Sequence, residues 1–103
     1  MAKLRIEIHI EAHEEEEKAF AWYRERSLEA ADAFVQEIEQ ARLAIQETPE
    51  AWAKYFHGAR RYLLKRFPYV VVYRVSADRI EIVAVAHGRR KTAYWADRVI
   101  PSD

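Results

Sequence analysis

No cysteine occurs in the 103 residues, so the chain can hold neither a disulfide framework nor a thiolate zinc site, and nothing ties it to an oxidising compartment. No apolar run approaches the ~20 residues that a membrane span requires, and the stretch Met1–Glu7 lacks the apolar core of a secretion signal. A soluble, cytoplasmic protein with no membrane partner is the expectation. Glycine is nearly absent, at two residues, and no further glycine follows Gly88 to build a phosphate cradle. Gly88 instead reads as a strand exit that needs a positive φ. Net charge is missing as well, because 17 Lys+Arg balance 17 Asp+Glu. That balance conceals an asymmetry, since residues 1–50 hold 6 cations against 13 carboxylates and residues 51–103 hold 11 against 4. Either the halves neutralise each other across the fold or the basic half faces an acidic partner, protein or nucleic acid.

What is present is an apolar half of the composition, enough for one domain over 1–103 with one core and too little for a large multi-substrate enzyme. Lys3 to Ile10 alternates Leu4, Ile6, Ile8 and Ile10 with polar residues, the period of a strand with one buried face. From Ala12 the pattern turns helical to about Arg26, with Ala12, Ala19, Phe20 and Tyr23 on one side. The run Glu14 to Glu17 reads as a solvated stretch in the first turns, favoured by the positive end of the helix macrodipole. His9 and His13 straddle the strand-to-helix boundary, so no shared metal is expected, and no cofactor. Ser27 can cap a second helix whose stripe is Ala31, Phe34, Ile38, Ala41 and Ile45, and Thr48-Pro49 stops it.

Beyond Pro49, Trp52, Tyr55 and Phe56 read as a plug beneath a connection. Arg60–Arg66, Tyr69–Val75 and Arg79–Ala86 follow as three strands joined by Phe67-Pro68 and Ser76-Ala77-Asp78. The order β-α-α-β-β-β predicts an α+β fold in which a helical hairpin covers one face of a small, mainly antiparallel sheet. Strict alternation then assigns Tyr62, Leu64, Tyr69, Val71, Tyr73, Val75, Ile80, Ile82, Ala84 and Ala86 to the helix side. The other face receives Arg61, Leu63, Lys65, Val70, Val72, Arg74, Glu81, Val83, Val85 and His87. An apolar centre with charged margins marks a protein docking surface, its basic edge extended by Arg89, Arg90 and Lys91 beyond the strand. Tyr94 and Trp95 either fold back onto the sheet edge or the helices, or take part in recognition. His87 either caps the strand end through a backbone hydrogen bond or transfers a proton.

Several fragments, in this order and spacing, carry a resemblance: Ala19 with Trp22-Tyr23, Ala30-Ala31 with Phe34 and Ile38, Pro49 with Trp52, and Arg60-Arg61 with Leu63-Leu64. Arg66-Phe67-Pro68-Tyr69, Tyr73-Arg74-Val75 and Val85-Ala86-His87-Gly88-Arg89-Arg90 continue it. Together they resemble the RelE/ParE superfamily of toxins from bacterial type II toxin-antitoxin systems, and its ParE-like branch in particular. The resemblance implies a toxin held inactive by a cognate acidic antitoxin, whose disordered, amphipathic tail folds around it. Operator DNA would be bound through the antitoxin.

The superfamily also implies two possible actions, inhibition of DNA gyrase or ribosome-dependent cleavage of mRNA. Metal-independent RNA cleavage needs a base, an acid and cations within hydrogen-bond reach, and His87, Arg61 and Arg90, with Lys65 and Arg89, could form such a set. Tyr94 could stand for a functional carboxy-terminal tyrosine. Leu63 and Val70, however, occupy positions where RelE-type ribonucleases carry lysine and arginine. The reading therefore favours a ParE-like gyrase inhibitor that is not an enzyme, with an endoribonuclease or a toxin-fold binding protein that has lost toxicity as alternatives. The expected antitoxin- or target-binding surface comprises Arg61, Leu63, Lys65, Val70, Val72, Arg74, Val83, His87, Arg89, Arg90, Tyr94 and Trp95.

Overall fold

The computed structural model describes residues 3–99; the expected domain bounds of 1–103, and Met1 and Ala2 of the amino-terminal stretch, extend outside the described residues. Strand β1 (Arg5–Ile8) leads into helix α1 (Ile10–Arg26) and helix α2 (Leu28–Glu47). Strands β2 (Ala53–Lys54), β3 (Arg60–Leu63), β4 (Tyr69–Val75) and β5 (Arg79–His87) complete a five-stranded sheet of order β1-β5-β4-β3-β2. Only the β1–β5 pair is parallel, and the other three are antiparallel. The helical hairpin on one face of a mainly antiparallel sheet is the architecture the periodicities predict; the two-residue β2 is too short to leave a periodicity.

Helix α1 begins at Ile10 because the His9 side chain accepts the Glu11 N–H at 3.1 Å, occupying an otherwise unpaired amide of the first turn. The expected start at Ala12 is thus two residues late, and of the glutamates only Glu11 lies in the first turn. Ser27 closes α1 through its N–H and opens α2 by accepting the Ala30 N–H at 3.1 Å, so one residue serves both helix ends. Phe34, Ile38, Ala41 and Ile45 of α2 meet Val71, Tyr73, Ile80 and Ile82 of the sheet in the main core. Tyr23, Phe34, Phe67 and Tyr69 pack around one another there, with Phe34 and Phe67 rings 5.4 Å apart and edge-on.

Buried Glu37, on the core side of α2, sets where β3 ends. It accepts the Lys65 N–H at 2.8 Å and the Arg66 N–H at 3.2 Å, and pairs with Arg66 Nε at 2.7 Å. Those amides are drawn off the ladder, which is why β3 stops at Leu63 rather than at Arg66.

Within β5 strict alternation fails. Val72 pairs with Ala84 while Tyr73 pairs with Ile82, so Val83 is an extra residue, a bulge that inverts the facing of everything after it. Ala84 and Ala86, expected against the helices, lie on the far face; Val85 and His87, expected on the far face, turn toward the helices. Val85 joins the main core, and the His87 ring stacks edge-on against Tyr69 at 5.2 Å.

Candidate functional site

The far face of the sheet is only partly open. After β5 the chain turns back, and a strap from Lys91 to Val99 lies across it in tight helical turns, with hydrogen bonds from Tyr94 N to Lys91 O, Ala96 N to Ala93 O and Arg98 N to Trp95 O. Ala93 adopts φ 58° to make the bend. Trp95 is 1% exposed in a second core with Ala59, Val72, Val83, Ala84 and Val99, and half-buried Tyr55 packs on its ring at 5.8 Å. Three residues of the expected docking surface, Val72, Val83 and Trp95, are therefore interior, because the chain's own strap supplies the apolar cover. The aromatic plug divides likewise: Trp52 packs on Tyr62 in the main core, Tyr55 lies under Trp95, and Phe56 is exposed.

A latch built on Glu15 holds the strap. Strand β1 ends at Ile8, so on that edge β5 has no neighbouring strand beyond Ile82, whose carbonyl accepts the His9 N–H at 2.9 Å. Side chains replace the missing strand. The Val85 N–H donates to Glu15 Oε1 at 3.0 Å and the Val83 carbonyl accepts from Arg98 at 3.0 Å. Arg98 also donates to both Glu15 oxygens, at 2.9 and 3.1 Å, and the Tyr94 hydroxyl donates to Glu15 Oε2. Burial raises the pKa of the Glu15 carboxyl, but the bonds from Arg98, Tyr94 and the Val85 amide, with the Arg98 charge, outweigh it and leave the carboxyl below its ordinary value. Burial and the same carboxylate push the Tyr94 hydroxyl well up, so it stays a donor.

Within the run of four glutamates, Glu15 is thus the latch, Glu16 pairs with Arg42 of α2, and Glu17 pairs with His13 at 2.8 Å. The expected solvated reading fits only the outer members, Glu14 and Glu17. Helical phase with Ala12 and Ala19 was the available signal for Glu15.

The remaining expected residues form a partial ring. Leu63 and Lys65 are exposed, Arg61 and Val70 half-buried, and Arg89 and Arg90 exposed. Arg61, Leu63, Val70, His87 and Arg90 line one depression of about 230 Å³, with Tyr94 at its side. The Arg61 guanidinium lies 5.0 Å from the Tyr55 ring centre, and its buried Nε lacks a partner. Arg74 is engaged with the strap, donating to the Val99 carbonyl at 3.2 Å, and Arg90 stacks on Tyr94 at 3.9 Å.

His87 caps the strand. Its Nδ1 accepts the Arg89 N–H at 3.0 Å and its carbonyl accepts the Arg90 N–H at 3.0 Å. Gly88 has no positive φ, contrary to expectation; its N–H continues the ladder to the Pro68 carbonyl at 2.8 Å, and a Cβ there would meet only that oxygen, at 3.6 Å. An imidazole whose Nδ1 accepts a hydrogen bond places its proton on Nε2, so the cap selects this tautomer.

A helical hairpin on a mixed sheet, with a cation-rimmed strand end, is the architecture of the RelE/ParE toxins. Residues 6–92 match the family model described as the ParE toxin of type II toxin-antitoxin system, parDE, and the chain belongs to that family. Toxin ParE2 of Mycobacterium tuberculosis, from two strains, is 28% identical over 85 residues, covering 82% of this chain and 81% of the relative. A solved chain of the chromosomal ParDE toxin-antitoxin system from P. aeruginosa superposes with a TM-score of 0.72 at 20% identity, covering 82% of this chain and 96% of that one. The family makes a cognate antitoxin the partner class. Among the described residues no helix is long and apolar enough to cross a membrane.

Proposed function

We propose that this toxin acts by binding DNA gyrase and stalling it, and that an acidic antitoxin tail neutralises it in the cytoplasm. The observation that carries the choice of a binding mechanism is the His87 ring, whose accepting nitrogen is committed to the Arg89 amide. Without that nitrogen the cluster of Arg61, Arg90 and His87 has cations but no base for a 2′-hydroxyl. Leu63 and Val70 favour the same reading, because they give the depression an apolar floor where phosphate handling would call for charge.

Arg61, Leu63, Lys65, Val70, Arg89 and Arg90 are the residues that meet the target; Tyr94, Arg74, Val72, Val83 and Trp95 act behind them by holding the strap in place. Purified toxin added to gyrase and relaxed plasmid should block supercoiling and accumulate cleaved DNA. Supercoiling unaffected at a large molar excess, together with message cut on purified ribosomes, would replace this reading with the ribonuclease one.

A further inference from the structure

We propose that Tyr94, anchored by Glu15, is a positioning residue that orients the Arg90 guanidinium for the target; this rests on the gyrase reading above and names the device that sets one of its contact residues. Arg90 leaves the strand exit as the second of three consecutive cations, on a long side chain with many rotamers to lose. Its N–H donates to the His87 carbonyl at 3.0 Å, which fixes the backbone and leaves the side chain to be placed by something else. Among the described residues no carboxylate lies within ion-pair distance of it. What it rests on is Tyr94, whose ring centre is 3.9 Å from the guanidinium carbon.

That ring is held in turn. Its hydroxyl donates to Glu15 Oε2, and its backbone N–H donates to the Lys91 carbonyl at 3.2 Å. The Arg98 guanidinium carbon lies 5.2 Å from the same ring centre and is itself tied to Glu11, Glu15 and the Val83 carbonyl. Orientation therefore passes from α1 through Glu15 and Tyr94 to Arg90. The carboxylate contributes a second effect, because a phenol that donates to an anion gathers electron density on its ring and attracts a stacked cation more strongly.

Arg89 supplies the contrast. It is equally exposed and equally without a carboxylate, yet among the described residues no aromatic ring lies under its guanidinium, so its side chain is not oriented before the target arrives. Arg90 lines the depression that contains Leu63 and Val70. Stacking occupies the face of a guanidinium and leaves its N–H edges free, which fits a two-pronged bond to a carboxylate on the target. An ammonium group has neither the flat face nor the fork, so Arg90→Lys should behave like Arg90→Ala.

The test is a pair of double-mutant cycles scored by the toxin concentration that half-inhibits gyrase supercoiling, with thermal melts confirming that each variant is folded. Arg90→Ala should raise that concentration about tenfold or more, and Tyr94→Leu about three- to fivefold. In the Arg90→Ala background Tyr94→Leu should cost nothing further, whereas in the Arg89→Ala background its full loss should persist. A Tyr94→Leu loss of the same size in both backgrounds would overturn the positioning role, because a purely structural tyrosine weakens every contact alike. Should Tyr94→Leu not fold, Tyr94→Phe, which keeps the ring and severs the bond to Glu15, runs the same cycles with a smaller loss expected to vanish in Arg90→Ala. Proton NMR reads the stack without gyrase, since the Tyr94 ring current should move the Arg90 Hδ signals upfield in wild type, and ordinary positions there would also overturn the proposal. Wild type that leaves supercoiling untouched while its Arg90 signals lie upfield would remove the gyrase reading and keep the placement of Arg90 by Tyr94.

Discussion

Replacing Glu15 with alanine removes the acceptor on which the strap closes. The side chains of Glu15 and Arg98 are 15% and 11% exposed, so this ion pair is largely withdrawn from water. Breaking a buried pair by deleting one partner costs ~3–5 kcal/mol. Arg98 keeps two other partners, Glu11 at 2.8 Å and the Val83 carbonyl at 3.0 Å, which reduces the loss, whereas the Val85 N–H and the Tyr94 hydroxyl are left without an acceptor. The balance is about 2–3 kcal/mol, or a fall in Tm of roughly 10–20 °C for a domain of this size. Thermal and urea melts of Glu15→Ala against Glu14→Ala read it directly, since Glu14 is exposed and its removal should stay within about 0.5 kcal/mol. Tryptophan emission supplies a second readout, because loosening the strap wets Trp95 and shifts its emission to the red. Equal melts for the two variants would refute the latch.

Glu37 and Glu15 are both held below their ordinary pKa of 4.5, burial opposing and their hydrogen-bonded partners prevailing, Arg66 with the Arg66 and Lys65 amides in the first case. Their contribution to stability is complete above that value and is lost as pH falls through the lowered folded-state values, so urea midpoints should drop below pH 4.5. In Glu37→Gln that drop should be shallower, and an unchanged slope would contradict the assignment. Tyr73, whose hydroxyl donates to the Pro49 carbonyl at 2.6 Å and whose pKa burial pushes up to about 12, stays a donor through neutral pH. Tyr73→Phe should cost about 1–2 kcal/mol by urea denaturation, and a neutral result would show that this bond does not hold the connection after α2.

The sequence disclosed the helices and the four strands longer than two residues because each buries one face, and burial writes its period into the residue order. It could not disclose the bulge at Val83, since Val83, Ala84, Val85 and Ala86 are all small and apolar, and a one-residue slip leaves such a run looking the same. Two of the ten residues assigned to the far face, Val85 and His87, changed sides accordingly. Glu15 and Glu37 were legible in principle, each standing in phase with a buried stripe, Ala12–Ala19 and Phe34–Ile38–Ala41, but a carboxylate among many on a charged helix carries no mark of its own. The burial of Trp95 depends on where a turn directs the chain after Gly88. Arg61, Leu63, Val70 and Arg90 did come together as the strand parity and the strand exit suggested, since β3 and the start of β4 precede the bulge.

Gyrase binding is the proposed action, with His87 as a structural cap in place of a proton-transfer group. Gyrase supercoiling of relaxed plasmid, titrated with wild type and His87→Ala, tests it most directly, with circular dichroism confirming that the variant is folded. The expected result is inhibition by both proteins at comparable concentrations, the variant losing about 1–3 kcal/mol of stability for the capping bond and the edge-on contact with Tyr69. Failure of either folded protein to inhibit, or cleavage of ribosome-bound message by wild type that disappears in His87→Ala, would contradict it.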